Sequence, residues 1–226
     1  MADLILLQGE GPNEKSFWES LLQKQGFFPI EEKFKGVFIS KSSGHVVMIC
    51  PCMGMPNING KSSLQQKSKY QTLPVTVKSS IRALGLTIEK QKLVITFDTE
   101  THKADPEERK EVIKKVAGNC FECMGEVVVI PVIGAIENWY IAGLTENISV
   151  KKDKISDFNK LVNDGTPDQI ESAKDKFYNC FENPLETTLI SRKVGNVFDI
   201  NLARDLSPSF REMYDELNKS EDFFTN

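Results

Sequence analysis

The stretch Leu93 to Glu100, LVITFDTE, decides the fold, because an apolar run stops abruptly at two carboxylates. The stretch Leu4 to Trp18, LILLQGEGPNEKSFW, has the same form, with Glu10 soon after an apolar run. Such runs are typical of parallel strands that are buried on both faces of a sheet. The carboxyl ends of parallel strands share one edge, where open α/β proteins build their sites. We therefore predict an α/β protein whose acids meet at one edge of a mostly parallel sheet.

The acids Glu10, Asp98 and Glu100 need a positive partner if they meet at this edge. At a separation of about 5 Å, each pair of carboxylates repels by roughly 3 kcal/mol at an effective dielectric of about 20. A bound proton offsets this repulsion, and so does a hard divalent cation, which prefers oxygen ligands. The pattern suggests a magnesium site for phosphate chemistry. For each acid taken singly, the alternative is a polar residue that ends a strand or caps the following helix.

The chain as a whole has the size and charge of an ordinary soluble protein. Its 226 residues suffice for one sizeable core, or for one domain with an appendage. The formal charge of -4 argues against a protein that coats nucleic acid by charge alone. No apolar segment is long enough to span a bilayer, and the start MADLILLQGE has no basic leader. We expect a cytoplasmic protein without a membrane partner.

The five cysteines raise the question of structural zinc. Their odd number and the lack of an export signal favour reduced thiols. Cys50 and Cys52 form a C-x-C pair, and Cys120 and Cys123 form a C-x-x-C pair, so a four-sulfur zinc site is conceivable. The two pairs flank separate elements and lack the usual zinc-knuckle spacing, which argues against structural zinc.

Hydrophobic periodicity and turn residues predict the order of the elements. Strands are predicted at ADLILLQ, GVFIS, HVVMIC, LVITF and EVVVIPVI, and helices over 14–25, 75–85, 106–118, 135–144, 166–181 and 207–217. Strands that alternate with helices predict a parallel sheet with right-handed crossovers. We predict an α/β domain over residues 1–150 with an insertion at about 27–90, and a helical C-terminal extension over 151–226 packed on it.

These motifs resemble the Toprim domain, a Rossmann-like fold shared by topoisomerases, primases and overcoming-lysogenization-defect nucleases. That domain has a glutamate after its first strand and a D-x-D pair after a later one. LLQGEGPNEKSF is similar to the first motif, and VITFDTE is similar to the second but ends in Glu100. IENWYIAG and ARDLSPSFREMYDEL are similar to segments of small stand-alone Toprim-related proteins, which are often associated with ATPases and with prokaryotic defence. Residues 27–90 are not covered well by the resemblance.

The resemblance implies a metal-dependent phosphoryl-transfer site. Mg²⁺ or Mn²⁺ would be held by Glu10, Asp98 and Glu100 and would orient an attacking water. Either Glu10 or Glu14 could act as the general base. Glu137 could be a further ligand or could orient one, and the alternative is that it caps a helix.

The resemblance also implies nucleic acid as the substrate, DNA or RNA, and an ATPase as the partner. Four residues could contact phosphate: Lys61, His102, Arg204 and Arg211. Exposed loop residues and surface arginines are the alternative for all four. Two functions remain open, namely a metal-dependent nuclease for antiviral defence or DNA processing and a non-catalytic Toprim-fold binding module in a larger complex. A phosphatase or nucleotide-processing enzyme that uses the same metal site is a third option.

Overall fold

The apolar runs of the sequence form one six-stranded sheet in the part of the chain that the structure describes. This computed structural model describes residues 2–9, 11–30, 36–50, 75, 77–99, 105–121, 125–144, 148, 150–158 and 173–219. The strands are β1 (Ala2–Gln8), β2 (Phe27–Pro29), β3 (Val37–Ser40), β4 (Val46–Ile49), β5 (Ile88–Asp98) and β6 (Glu126–Val132). Their order is β2-β3-β4-β1-β5-β6. The four strands from β4 to β6 in this order are parallel, and β2 and β3 are antiparallel.

Helices flank the sheet. They are α1 (Pro12–Lys24), α2 (Pro106–Phe121), α3 (Ile136–Gly143), α4 (Ala173–Tyr178), α5 (Thr187–Val197), α6 (Ile200–Leu206) and α7 (Pro208–Asn218). Residues 77–83 are also helical, and Lys152–Lys154 form a 3-10 turn. Within the described ranges, no helix is long and apolar enough to cross a membrane. The predicted α/β class with a mostly parallel sheet is therefore confirmed.

The structure changes three details of the predicted elements. Helix α1 starts two residues earlier than predicted, because Pro12 suits the first helical position after Gly11. The predicted end of α2 at Gly118 is wrong, since this glycine does not adopt the positive φ that ends helices. A short strand that was not predicted, β2, forms at Phe27–Pro29 and pairs with β3 in the same sheet. Residues 166–172 of the predicted helix over 166–181 lie outside the described part.

The sheet separates two apolar cores because side chains alternate along each central strand. In β1, Ile5 and Leu7 enter the core shared with α1 and α3, whereas Leu4 and Leu6 enter the core shared with α2 and residues 77–83. The same alternation holds in β5, where Val94 faces the first core. Both faces of these strands are buried, as their nearly continuous apolar sequences predict.

The C-terminal helices belong to the first core. Phe198, which follows α5, packs edge-on against Phe17 of α1, with ring centroids 4.9 Å apart. Phe210 of α7 packs in the same way against Trp139 of α3, at 5.4 Å. Trp139 also donates a hydrogen bond from its indole N–H to Ser209 Oγ at 2.9 Å. Residues 173–219 therefore share one core with the sheet.

Helices α1 and α5 pack closely at Gly195. A Cβ atom at this position would lie 2.6 Å from the backbone oxygen of Phe17 and 2.8 Å from Ser20 Cβ. Neighbouring positions on both helices carry small side chains, among them the buried Ser16 and Ser191. Small residues thus allow the backbones to approach.

We predict that Gly195→Ala lowers the free energy of unfolding by about 1–3 kcal/mol, because the added methyl group overlaps a fixed backbone. Gly118→Ala is the matched control, since no atom of the described residues lies within 4 Å of a Cβ atom placed there. That change should stabilise the protein by about 0.5–1 kcal/mol through helix propensity. Urea unfolding measures both values, and equal effects of the two substitutions would contradict this description of the packing.

Candidate functional site

The candidate site lies at the carboxyl edge of the sheet, between β1 and β5. These neighbouring strands are followed by helices on opposite faces, α1 on the first core and α2 on the second. This is the topological switch point at which open α/β sheets form a binding crevice. Gln8 ends β1 and Asp98 ends β5, and Thr96 Oγ1 donates a hydrogen bond to the Gln8 carbonyl at 3.3 Å.

The structure describes five of the nine predicted site residues. Glu14 lies in the first turn of α1, Asp98 at the end of β5 and Glu137 in the first turn of α3. Arg204 is in α6 and Arg211 in α7. The other four, which lie outside the described residues, are Glu10, Lys61, Glu100 and His102.

The Glu14 carboxylate stabilises the start of α1. Its Oε2 accepts a hydrogen bond from the Gly11 N–H at 3.0 Å, so this carboxylate satisfies a free donor at the start of α1. A Cβ atom at Gly9 would lie 2.7 Å from Glu14 Cβ. Only glycine therefore fits at that position while Glu14 remains in place. Glu14 itself is buried, with 6% of its surface exposed.

Asp98 caps helix α3 from a neighbouring strand. Ala135 occupies the N-cap position of α3 and has no side-chain acceptor, and Asp98 Oδ1 accepts the Ile136 N–H at 3.0 Å. Next to it, Thr99 Oγ1 accepts the Gly134 N–H at 2.7 Å, and the Thr99 N–H donates to the Gly134 carbonyl at 2.8 Å. The end of β5 is thus fastened to the turn before α3, and the positive end of that helix favours a charged Asp98.

Glu137, which belongs to the first turn of α3, is fully buried. Its Oε1 accepts a hydrogen bond from the Tyr178 hydroxyl at 2.6 Å, and its Oε2 has no hydrogen-bond partner among the described residues. Burial raises the pKa of this carboxyl, the Glu14 carboxylate adds to the rise, and the Tyr178 hydrogen bond and Lys174 oppose it. The cap of α3 comes from Asp98, and Glu137 instead joins α3 to α4.

Sequence reasoning missed Tyr178 and Asn13. Asn13 Nδ2 donates a hydrogen bond to Tyr178 Oη at 3.1 Å, so one phenol contacts both α1 and α3. Burial and the adjacent Glu137 carboxylate raise the pKa of Tyr178, which keeps the phenol protonated as a donor. Asn13 lies within the glycine-flanked motif and could have been noticed there. Nothing in the local sequence of Tyr178 indicates its role.

The two predicted phosphate-binding arginines make contacts within the protein. The Arg204 guanidinium lies 4.2 Å from the centre of the Tyr214 ring. Arg211 donates from Nε to the Arg204 carbonyl at 2.8 Å and from a terminal nitrogen to the Asp205 carbonyl at 3.1 Å. These carbonyls are at the end of α6, where backbone acceptors lack helical partners. Both arginines therefore hold α6 and α7 together.

The donor chemistry of this edge suits a hard cation, because carboxylate oxygens are the ligands that Mg²⁺ prefers. In the described part of the chain, no three His, Cys, Asp or Glu side chains are grouped to hold a metal ion. Two of the three acids predicted as principal ligands, Glu10 and Glu100, lie outside that part. Cys50 is buried, and its burial raises the pKa of the thiol to about 12. The remaining thiols of the two cysteine pairs are not among the described side chains.

Comparisons with protein-family models, with curated proteins and with solved structures found no match to this chain. The fold itself is a Rossmann-like α/β sheet flanked by helices. A fold of this kind hosts many functions, so the chemistry of the site has to indicate the function of this chain.

We predict that Asp98→Ala lowers the free energy of unfolding by about 1–3 kcal/mol, because it leaves the buried Ile136 N–H without its acceptor. Asp98→Asn keeps an oxygen at this position and should retain most of that stability. Chemical denaturation in the presence of a chelator compares the two variants. If they lose equal stability, the cap on α3 is not what Asp98 contributes to the fold.

A second prediction concerns pH. In the folded state, the pKa of Glu137 is raised above its ordinary value of 4.5. Above pH 4.5, the folded protein therefore binds more protons at this residue than the unfolded protein does. The stability contribution of Glu137 is therefore full below this pH and is lost as pH rises through the folded-state pKa. Glu137→Gln cannot ionise, and its amide oxygen can still accept from Tyr178.

The stability of Glu137→Gln relative to the unsubstituted protein should consequently increase between pH 5 and pH 8. Urea unfolding with a chelator at several pH values measures this difference. A constant difference across the range would show that burial does not shift the titration of Glu137.

Proposed function

We propose that this chain is a Toprim-type nuclease that hydrolyses phosphodiester bonds of DNA or RNA with Mg²⁺ or Mn²⁺. The observation that carries the proposal is the buried Asp98 at the end of β5, beside the switch point at which α1 and α2 go to opposite faces of the sheet. Glu10 and Glu100 belong to the two chain segments that leave these strands. Acids that follow neighbouring parallel strands are a suitable ligand set for a hard cation.

Each acid has a distinct role in this proposal. Asp98, Glu10 and Glu100 would hold the metal ion, which when bound neutralises phosphate charge and orients the attacking water. Glu14 accepts a hydrogen bond from the Gly11 N–H, so its proposed role is to stabilise the start of α1 rather than to transfer protons. Glu10 is then the proposed general base. Glu137 is fully buried and hydrogen-bonded to Tyr178, which favours an orienting role over direct ligation.

The residues that contact nucleic acid and the identity of a protein partner are separate parts of the proposal. Arg204 and Arg211 are used within the fold, so Lys61 and His102 are the remaining proposed phosphate contacts. The ATPase partner, a role in defence and a cytoplasmic location follow from the resemblance of the motifs to Toprim-related proteins. They remain part of the proposal.

A non-catalytic binding module is the second candidate, and two observations favour it. Asp98 and Glu14 each use an oxygen to satisfy a backbone N–H at a helix start, which is a structural task. The described residues also contain no ready-made group of three metal ligands. Such a module would bind a partner or nucleic acid without cleaving it.

We predict that Asp98→Asn lowers metal-dependent cleavage by about 100-fold or more, because charge stabilisation worth several kcal/mol is lost in the transition state. Plasmid, single-stranded DNA and RNA substrates should be incubated with Mg²⁺ or Mn²⁺, and with a chelator as a blank. Asp199→Asn is the matched control, since Asp199 likewise caps a helix, accepting the Leu202 N–H at 3.0 Å.

Asp199→Asn should cleave like the unsubstituted protein. Equal cleavage by Asp98→Asn and Asp199→Asn would contradict the proposal. Nucleic-acid binding without cleavage, together with no Mg²⁺ binding in calorimetry, would select the binding module instead.

A further inference from the structure

Tyr178 connects the two sides of the candidate site. It lies at the end of α4, in the segment beyond the predicted α/β domain. Its hydroxyl accepts from Asn13 in the first turn of α1 and donates to Glu137 in the first turn of α3. These are the two helices that begin at the carboxyl edge on the first face of the sheet.

Each of these first turns adjoins one part of the proposed metal site. Asn13 comes two residues after Gly11, whose N–H donates to Glu14 Oε2. Glu137 follows Ile136, whose N–H is held by Asp98. The phenol thus connects the start of α1 to the start of α3, which Asp98 caps.

The direction of the two hydrogen bonds makes the phenol hard to replace. One hydroxyl both donates and accepts, which phenylalanine does not reproduce. Removing it leaves Glu137 Oε1 buried without its donor, and an unsatisfied buried group carries the full desolvation penalty. The remaining Glu137 oxygen has no partner among the described residues, so the loss would free the carboxylate to move.

We propose that Tyr178 is a positioning residue of the candidate metal site, which it serves by fixing the first turn of α1 against the first turn of α3. This inference rests on the proposed function, because the proposed function supplies the metal site that Tyr178 would order. It makes α4 part of the site's support, although none of the proposed metal ligands belongs to α4.

Tyr140 offers a matched comparison. It is fully buried on α3, in the same aromatic core as Tyr178. Its hydroxyl lies near the Ser191 hydroxyl of α5, which donates to the Thr187 carbonyl at 2.9 Å, and it makes no hydrogen bond to the described residues of α1 or α4. Tyr140→Phe therefore removes the same atom from the same core without breaking the connection between α1 and α3.

The test compares Tyr178→Phe with Tyr140→Phe and the unsubstituted protein. Mn²⁺ binding, followed by electron paramagnetic resonance, should weaken by about 10–100-fold in Tyr178→Phe, the loss typical when groups that orient metal ligands are removed. It should be unchanged in Tyr140→Phe. In the metal-free protein, amide hydrogen exchange over residues 11–15 should be faster in Tyr178→Phe only.

Asn13→Ala provides a second variant in case Tyr178→Phe reduces the folded fraction. Asn13 is half-buried, and its substitution breaks only the α1 end of the connection. It should also weaken Mn²⁺ binding and speed exchange in the first turn of α1.

The outcomes separate the two proposals. If the unsubstituted protein does not bind Mn²⁺, the proposed function fails, and the inference falls with it. If it binds Mn²⁺ and the folded variants Tyr178→Phe and Asn13→Ala match Tyr140→Phe in both readouts, the positioning role is overturned while the metal site stands.

Discussion

Burial of both faces of β1 and β5 is the constraint on which the rest of the structure depends. Leu4 and Leu6 point into one core, and Ile5 and Leu7 into the other, so each face must be covered by helices. The connections that follow β1 and β5 therefore diverge to opposite faces. Open α/β sheets build their sites at the edge where such helices part.

The two described acids at the start of α3, Asp98 and Glu137, have different surroundings. Asp98 accepts a backbone N–H at the start of α3, where the helix dipole favours its negative charge. Glu137, one residue beyond Ile136, is buried, and its pKa is raised by that burial. A carboxylate that caps the helix start and a buried carboxyl with a raised pKa thus occupy the same first turn of α3, one from β5 and one from the helix itself.

The C-terminal helices take part in both the core and the site. Phe198 and Phe210 complete the aromatic cluster around Phe17 and Trp139. Tyr178 carries the hydrogen bonds between α1 and α3. A change in the packing of these helices would therefore reach the carboxyl edge of the sheet through a short series of fixed contacts.

Much of the fold could be read from local pattern. The apolar runs of β1, β5 and β6, the proline start of α2 and the Ser207 cap of α7 all lie where periodicity and capping chemistry predict. The edge occupied by Asp98 follows from the same patterns, because strand ends in a parallel sheet converge. The end of α2 did not follow, since a glycine ends a helix only if its φ turns positive.

What the sequence determined by itself is every described strand except β2, the starts of α2, α3 and α7, and the edge at which Asp98 and Glu137 lie, because these depend on neighbours within a few positions. Only the tertiary structure decided that Arg204 and Arg211 fasten α6 to α7 and that Tyr178 bonds to Glu137. The last two residues are 41 positions apart. Their contact depends on how helices dock around a shared aromatic core, and side-chain packing of that kind leaves no periodic signal in the chain.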